Sequence, residues 1–496
     1  MLKKVLIPLL LVAMVLALVG CNNTQPKESA TPAPSASPST STDPSIEGGS
    51  ATDQIDQLIA NAKYMKPGDN YRIFYYYIAE EGDLDYVYDP TKTMRDKMTN
   101  ELGHKIMDAT GITLSFMTHQ GTWFNEYCTS AASGTPIADM MYAGGPHTMI
   151  TNYVWNGQAG SALQSLSTYS YVYDFSNDEF WDTNIQKSMC YFGGEMYYFV
   201  PRLVGESVVN LNQFTFYNVD ILESAGYTLE GLAQTAKDGN WTWSYFEQVA
   251  QAVNDPDRDI YALASAQENS LAYNLMASNG GDYVKSVEVD GQMIDRFTAH
   301  EPESIEAWDF YLKLSNQNLI RPDSIGPEIE ISLFTSGKVA MILTYLNRAD
   351  RFYETMTEQE FAILPIPKAP DAENYVSTQN WFMPYCLFKN IPNPEGVVEF
   401  CSLFYLPPYA KSSAKNNQLM DAELSLRLRD QYSVQFAKDA LTYSYVSKMM
   451  TYQMTTTKYM WDNTPVFIRG EKTPAEYFAS VEGPYNAEID KYYQSK

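Results

Sequence analysis

Histidine is scarce. Only His104, His119, His147 and His300 occur in 496 residues, and no two stand at HxxxH or HExxH spacing. That argues against a zinc hydrolase and against a histidine-dependent triad. Cysteine is nearly as rare: Cys21, Cys128, Cys190, Cys386 and Cys401. No CxxC pair is present, which argues against a zinc or redox motif. An exported protein could pair the last four, in any of three connectivities, but a body of this size does not need disulfide staples, so the favoured reading is four buried thiols. Basic residues are also few, 34 Lys and Arg against 60 Asp and Glu, for a formal charge of −26. This balance argues against nucleic acid or anionic lipid as a broad-surface partner. Beyond residue 20 no stretch approaches 18 continuous apolar residues, so no later segment reads as a membrane span. There is no fixed-period repeat and no P-loop. Asp255, Asp257 and Asp259 alternate, but Ile260 and Ala266 stand where an EF-hand needs glycine and an acid. The run reads as a polar turn, and no cofactor or metal is implied.

What is present begins at the N-terminus. Lys3 and Lys4 precede an apolar run, Val5 to Val19, broken only by Pro8. It is too short to span a ~30 Å hydrocarbon core, which needs about 20 helical residues. It has the length of the apolar region of a secretory signal peptide. The run ends in Leu-Val-Gly-Cys, residues 18–21, which resembles the lipobox of bacterial lipoproteins. The resemblance implies a signal peptide over 1–20, cleavage before Cys21, lipidation of its thiol, and anchoring at the outer face of the cell membrane. Residues 22–50 then hold 16 Ser, Thr or Pro among 29. Such a segment buries too little apolar area to offset its ordering entropy. A disordered linker is expected over 21–68, with a random-coil reach of about 30 Å for its first part.

The remaining body is too long for one core, so two domains are expected. YRIFYYYI at 71–78 is a short aromatic run between turn-forming clusters and predicts a buried strand. Met94, Met98, Leu102, Ile106 and Ala109 recur at helical steps and predict a helix over 93–111, stopped by Gly111. A strand at 112–117, a helix over 122–136 and a strand at 137–144 complete a βαβαβ pattern, the mark of a parallel sheet covered by helices. Helices follow near 219–226, 241–255, 303–319 and 393–406. For the second of these, Ser244 is the expected N-cap, with Glu247 at the capping-box position. Residues 331–346 read as a helix end, a Ser-Gly turn and a buried strand, and 361–370 as a strand stopped by prolines. The last 90 residues read as mostly helical.

Six segments in this order resemble the sugar-binding group of bacterial extracellular solute-binding proteins, the maltose-binding type that serves ABC importers. They are SGTPIADMMYAG, FYNVDILESAGY, WTWSYFEQVAQAV, MASNGGDYV, FTSGKVAMILTY and FAILPIPKAP. The resemblance covers about residues 70 to 410. It implies an α/β, two-lobed periplasmic-binding-protein-like fold of type II, hinged by two or three crossing segments near 201–212, 343–347 and 380–385. The expected lobes are 69–200 with 347–380, and 201–346 with 381–496. The implied protein is a monomeric receptor rather than an enzyme. Its partners are a carbohydrate bound between the lobes and a membrane permease that receives it.

Sugars offer apolar ring faces and many hydroxyls, which aromatic and polar side chains match. Strand ends and crossings facing such a cleft supply the candidates. Glu81 follows the first strand, and Tyr142 and Gly144 follow the third. Arg202 and Glu206 lie on the first crossing. Tyr345, Asn347 and Arg348 lie on the second, and Trp381 on the third. Trp123 opens the second helix, and Tyr273 lies seven residues before Gly280. Trp241 and Trp243 are assigned to packing. Two rivals remain open. One is a surface glycoside hydrolase, since 60 acids make a carboxylate pair numerically easy. The other is the same fold serving a peptide, polyamine or metal chelate.

Overall fold

The computed structural model describes residues 51–494, apart from 76–77, 93, 119–122, 143–161, 193–194, 202–211, 265–269, 290, 323–326, 357–359, 380–383, 408, 461–465 and 467–468. The expected signal segment and Cys21 lie outside the described residues. The folded body starts earlier than the sequence suggests. A helix at Ala51–Ala60 and the segment after it fall inside the expected linker. Distant side chains hold them. The Glu399 carboxylate accepts the backbone N–H groups of Lys63, Tyr64 and Met65 at 2.7, 2.7 and 2.9 Å. Asn393 Nδ2 donates to the Tyr64 carbonyl at 2.8 Å.

The βαβαβ start forms as its periodicity predicts. Strands Asn70–Tyr75, Thr113–Met117 and Met140–Tyr142 pair in parallel, with helices Met94–Thr110 and Trp123–Ala132 between them. Tyr385–Leu387 and Tyr198–Phe199 extend this first sheet, each antiparallel to its neighbour. The second sheet runs in the order Ile320–Arg321, Tyr261–Ala264, Val339–Tyr345, Gln213–Asn218, Phe361–Leu364. All six residues of Gln213–Asn218 are buried, because layers cover both faces. Phe214 and Phe216 meet Phe334, Phe352 and Phe361 on one side. Thr215 and Tyr217 point to the other, where Trp241 donates its indole N–H to the Pro365 carbonyl at 2.9 Å.

Two strands lie on the sheet opposite to the one expected. Phe361–Leu364 pairs antiparallel with Gln213–Asn218 in the second lobe. Tyr385–Leu387 pairs with Met140–Tyr142 in the first. Residues 343–347 are therefore no crossing, since the strands on either side, Val339–Tyr345 and Phe361–Leu364, both belong to the second sheet. The crossings run from Val200 to Asn212, from Pro365 to Pro384, and from Tyr405 to Ser413. The last follows helix Pro394–Phe404, whose Phe400 packs on Tyr71 of the first lobe. It leads to helix Ala414–Arg427, whose Met420 and Leu424 join the second-lobe core.

Local chemistry explains several motifs. Helix Trp243–Val253 is capped two residues earlier than expected: Thr242, not Ser244, accepts the Tyr245 N–H. Glu247 is thereby turned outward, to Lys313 at 2.6 Å and Gln317 at 2.8 Å. In Asn279-Gly280-Gly281, Gly280 has φ +77°, and a Cβ on Gly281 would meet the Ser304 backbone nitrogen at 3.0 Å. Asp259 is held by Arg321 and Lys338, each at 2.7 Å, as a structural ion cluster. Cys128, Cys190, Cys386 and Cys401 are free and buried, and burial pushes all four thiols up. Among the described residues no helix is long and apolar enough to cross a membrane.

Candidate functional site

Strand direction locates the site. In the first sheet, Tyr75 and Tyr142 end parallel strands at the edge where Phe199 leaves and Tyr385 enters. In the second, Tyr345 ends its strand opposite Gln213, where that strand begins. Two crossings thus connect the carboxyl-end edges of both sheets. A crevice at such an edge is where ligands bind in open α/β folds.

On the first lobe this edge carries a row of aromatic rings. Tyr75, Tyr142, Tyr385 and Phe199 are successive register partners across four strands. Their ring centroids lie 4.6, 4.7 and 5.3 Å apart in that order. Cross-strand neighbours on one face come this close by pleat geometry alone. Tyr75 and Tyr142 are half-buried, whereas Tyr385 and Phe199 are buried. Burial, with Tyr405 and Tyr88 close by, holds the Tyr385 phenol well above its ordinary value.

The second lobe presents a polar edge. Tyr345 and Arg348 are half-buried and Asn347 is exposed. Beside Arg348, the Glu330 carboxyl is buried on helix Pro327–Thr335, and burial pushes it well above the carboxylate range against the pull of that cation. Tyr273 is buried at 2 % exposure, behind the surface, with Asp282, Ser447 and Tyr345 around its phenol.

Where two crossings meet the second lobe lies a cluster of buried amides and hydroxyls. Asn212 Nδ2 donates to Ser377 Oγ at 3.0 Å and Ser444 Oγ at 2.7 Å. Gln379 Nε2 donates to Asn212 Oδ1 at 2.7 Å. Thr378 Oγ1 donates to Asn274 Oδ1 at 2.6 Å, and Asn274 Nδ2 to Gln213 Oε1 at 2.7 Å. Ser377–Thr378 pairs in parallel with Ser444–Tyr445. Every group here is paired, which fixes the relative position of the segments.

Of the residues predicted from sequence, Tyr142 joins the aromatic row, and Tyr345, Asn347 and Arg348 share the opposite edge. Glu81 is exposed beside Gly82, whose backbone bridges to Phe116 near the end of its strand. Tyr273 sits beneath the surface because its helix, Ser270–Ser278, is buried from Leu271 to Ser278. Trp381, Glu206, Arg202 and Gly144 lie outside the described residues. For Trp123 only its place at a helix start is described. Sequence reading missed Tyr75, Tyr385, Asn212 and Gln379. The YYY run at 75–77 was the available signal for the first; the other three carry no local signature. Among the described residues no three His, Cys, Asp or Glu converge as metal ligands.

Two α/β lobes joined at their carboxyl edges, with aromatic rings on one side and polar groups on the other, define a two-lobed binding protein. The chain belongs to the bacterial extracellular solute-binding proteins, whose family pattern matches residues 108–411. It is thus a binding protein, not an enzyme. Solved structures agree in fold. An ABC substrate-binding protein of Listeria monocytogenes in complex with cycloalternan has a TM-score of 0.56 at 17% identity, over 86% of this chain and 99% of its own. The GacH receptor of Streptomyces glaucescens, solved unliganded and with acarbose, gives 0.54 at 14% identity, over 85% and 98%. UgpB of Mycobacterium tuberculosis, in complex with glycerophosphocholine, gives 0.55 at 14% identity, over 86% and 99%. No curated protein sequence matches this chain.

Proposed function

We propose that this chain is a lipid-anchored, monomeric receptor that captures an oligosaccharide between its lobes and hands it to the membrane permease of an ABC importer. The aromatic row carries the sugar reading. The half-exposed Tyr75 and Tyr142 offer apolar ring edges and phenol hydroxyls to a sugar, and Asn347 and Arg348 offer hydrogen bonds to its hydroxyls. Closure brings the two edges together, so full contact energy is gained only when both lobes hold the ligand. Trp381, Glu206, Arg202, Gly144, Trp123 and Glu81 belong to the same proposed contact set. Relatives of this fold bound to cycloalternan and acarbose support the sugar class; the one bound to glycerophosphocholine supplies the contrast.

A thermal-shift panel of acarbose, maltotetraose, cycloalternan and glycerophosphocholine on ligand-stripped protein tests this. Ligand at 100 times its Kd stabilises by about 2.7 kcal/mol, so a dose-dependent rise in Tm is expected with an oligosaccharide. A rise with glycerophosphocholine alone would replace the sugar by a phosphodiester. Tyr142→Ala is expected to weaken sugar binding about tenfold, through loss of that contact and of the row's central ring.

The anchor is tested separately. Two or more acyl chains give stable attachment, so Cys21→Ser is expected to be released from cells into the medium while binding ligand normally. Retention of the variant in the membrane fraction would rule out lipidation at Cys21.

A further inference from the structure

The segment Ser444–Tyr452 lies beyond the family match, yet it touches both lobes. Its start pairs with the Pro365–Pro384 crossing, and its Ser444 takes a hydrogen bond from Asn212 of the Val200–Asn212 crossing. Its middle is fastened to the turn after Gly281. Tyr445 donates its phenol proton, and Ser447 its hydroxyl at 2.6 Å, to the Asp282 carboxylate. Its end, Lys448–Tyr452, packs between helix Thr183–Met189 of the first lobe and strand Val284–Val289 of the second. There Tyr452 donates to Asp295 at 2.8 Å, and Lys448 Nζ stands 3.8 Å from the same carboxylate.

We propose that Ser444–Tyr452 is a strap that sets the angle between the lobes, and that Asp282 is the positioning residue that fastens it. The inference rests on the reading that the lobes move about the crossings. Asp282 is fully buried, and its carboxylate is met by the two strap hydroxyls and by local backbone N–H groups. The phenols of Tyr273 and Tyr283 also face it. Stripping the hydroxyls away would leave a buried carboxylate short of donors, which is costly. The strap therefore stays with the second lobe. Any change of lobe angle must slide it against Thr183–Met189 or strain its pairing with Ser377–Thr378.

The test uses ligand-free, full-chain protein, so its failure leaves the sugar reading intact. In a Cys21→Ser background, Ser133→Cys and Glu223→Cys place spin labels on exposed sites of the two lobes, while Cys128, Cys190, Cys386 and Cys401 stay buried. In Tyr445→Phe/Ser447→Ala the interlabel distance distribution is expected to widen about twofold, as a loosened hinge samples more angles. Amide exchange at Ser377 and Gln379, which donate to the Tyr443 and Tyr445 carbonyls at 3.0 and 2.7 Å, is expected to quicken about tenfold. Exchange in Gln213–Asn218 stays as in the parent. Tyr452→Phe, which loosens the same strap at Asp295, widens the distribution in the same direction. An unchanged distribution overturns the proposal. So does widening with equally faster exchange throughout Gln213–Asn218, which marks a general structural loss.

Discussion

Asp139→Ala is expected to destabilise the protein by about 2 kcal/mol, because it removes a buried acceptor from the donors of the half-buried Arg72. Asp139 is the acid of the SGTPIAD motif, and its side chain is only 4% exposed. Arg72 grips it from the neighbouring strand with Nη2 at 2.7 Å, Nε at 3.1 Å and its own backbone N–H at 2.8 Å. Arg72 Nη1 also donates to the Pro136 carbonyl at 2.8 Å. The pair thus ties the strand that ends at Tyr142 to the one that ends at Tyr75, and supports the aromatic row from behind. Urea unfolding should show a lower midpoint with an unchanged slope. Replacing both partners by leucine should recover part of the loss, because no orphaned charge remains. Equal midpoints for Asp139→Ala and the parent would mean that the pair contributes nothing.

The second large effect is a pH dependence set by Asp282. Burial raises its carboxyl to about 6 in the folded chain, against the hydrogen bonds from Ser447 and Tyr445 that favour the charged form. In an unfolded chain the same group titrates near 4. Between those values the folded state holds a proton that the unfolded state releases. The stability this proton contributes is complete below about pH 4 and is lost as pH rises through 6, by up to about 3 kcal/mol. Asp282→Asn cannot titrate. The stability difference between parent and variant should therefore move by about that amount in the variant's favour from pH 4 to pH 7. A difference that stays constant across this window would show that Asp282 titrates alike in both states.

Local patterns carried much of the fold. The Met94–Ala109 periodicity, the aromatic run before Tyr75 and the turn at Gly337 each follow from chemistry within a few residues, and each formed as read. The lobe to which a short apolar strand belongs does not. Phe361–Leu364 and Tyr385–Leu387 are equally buried, and only hydrogen bonds to partners about 150 and 240 residues earlier in the chain separate them. That non-locality misplaced the crossing at 343–347. The hairpin Val284–Val289 with Gln292–Phe297 went unread although Asp290-Gly291 is a strong turn signal. Tyr142 was legible as a candidate because it ends a strand. Its partners Tyr385 and Phe199 were not, since antiparallel additions bring them to the row from other parts of the chain. Asn212, Gln379 and Ser444 are single polar residues whose meaning comes from one another.

The central claim is reversible capture of a sugar without turnover. Titration calorimetry of the ligand-stripped chain with maltotetraose, followed by recovery of the sugar, tests it most directly. Saturable binding at one site, micromolar or tighter, with the sugar recovered intact, is the predicted result. No binding heat with maltotetraose, acarbose or cycloalternan, or release of new reducing ends, would contradict it.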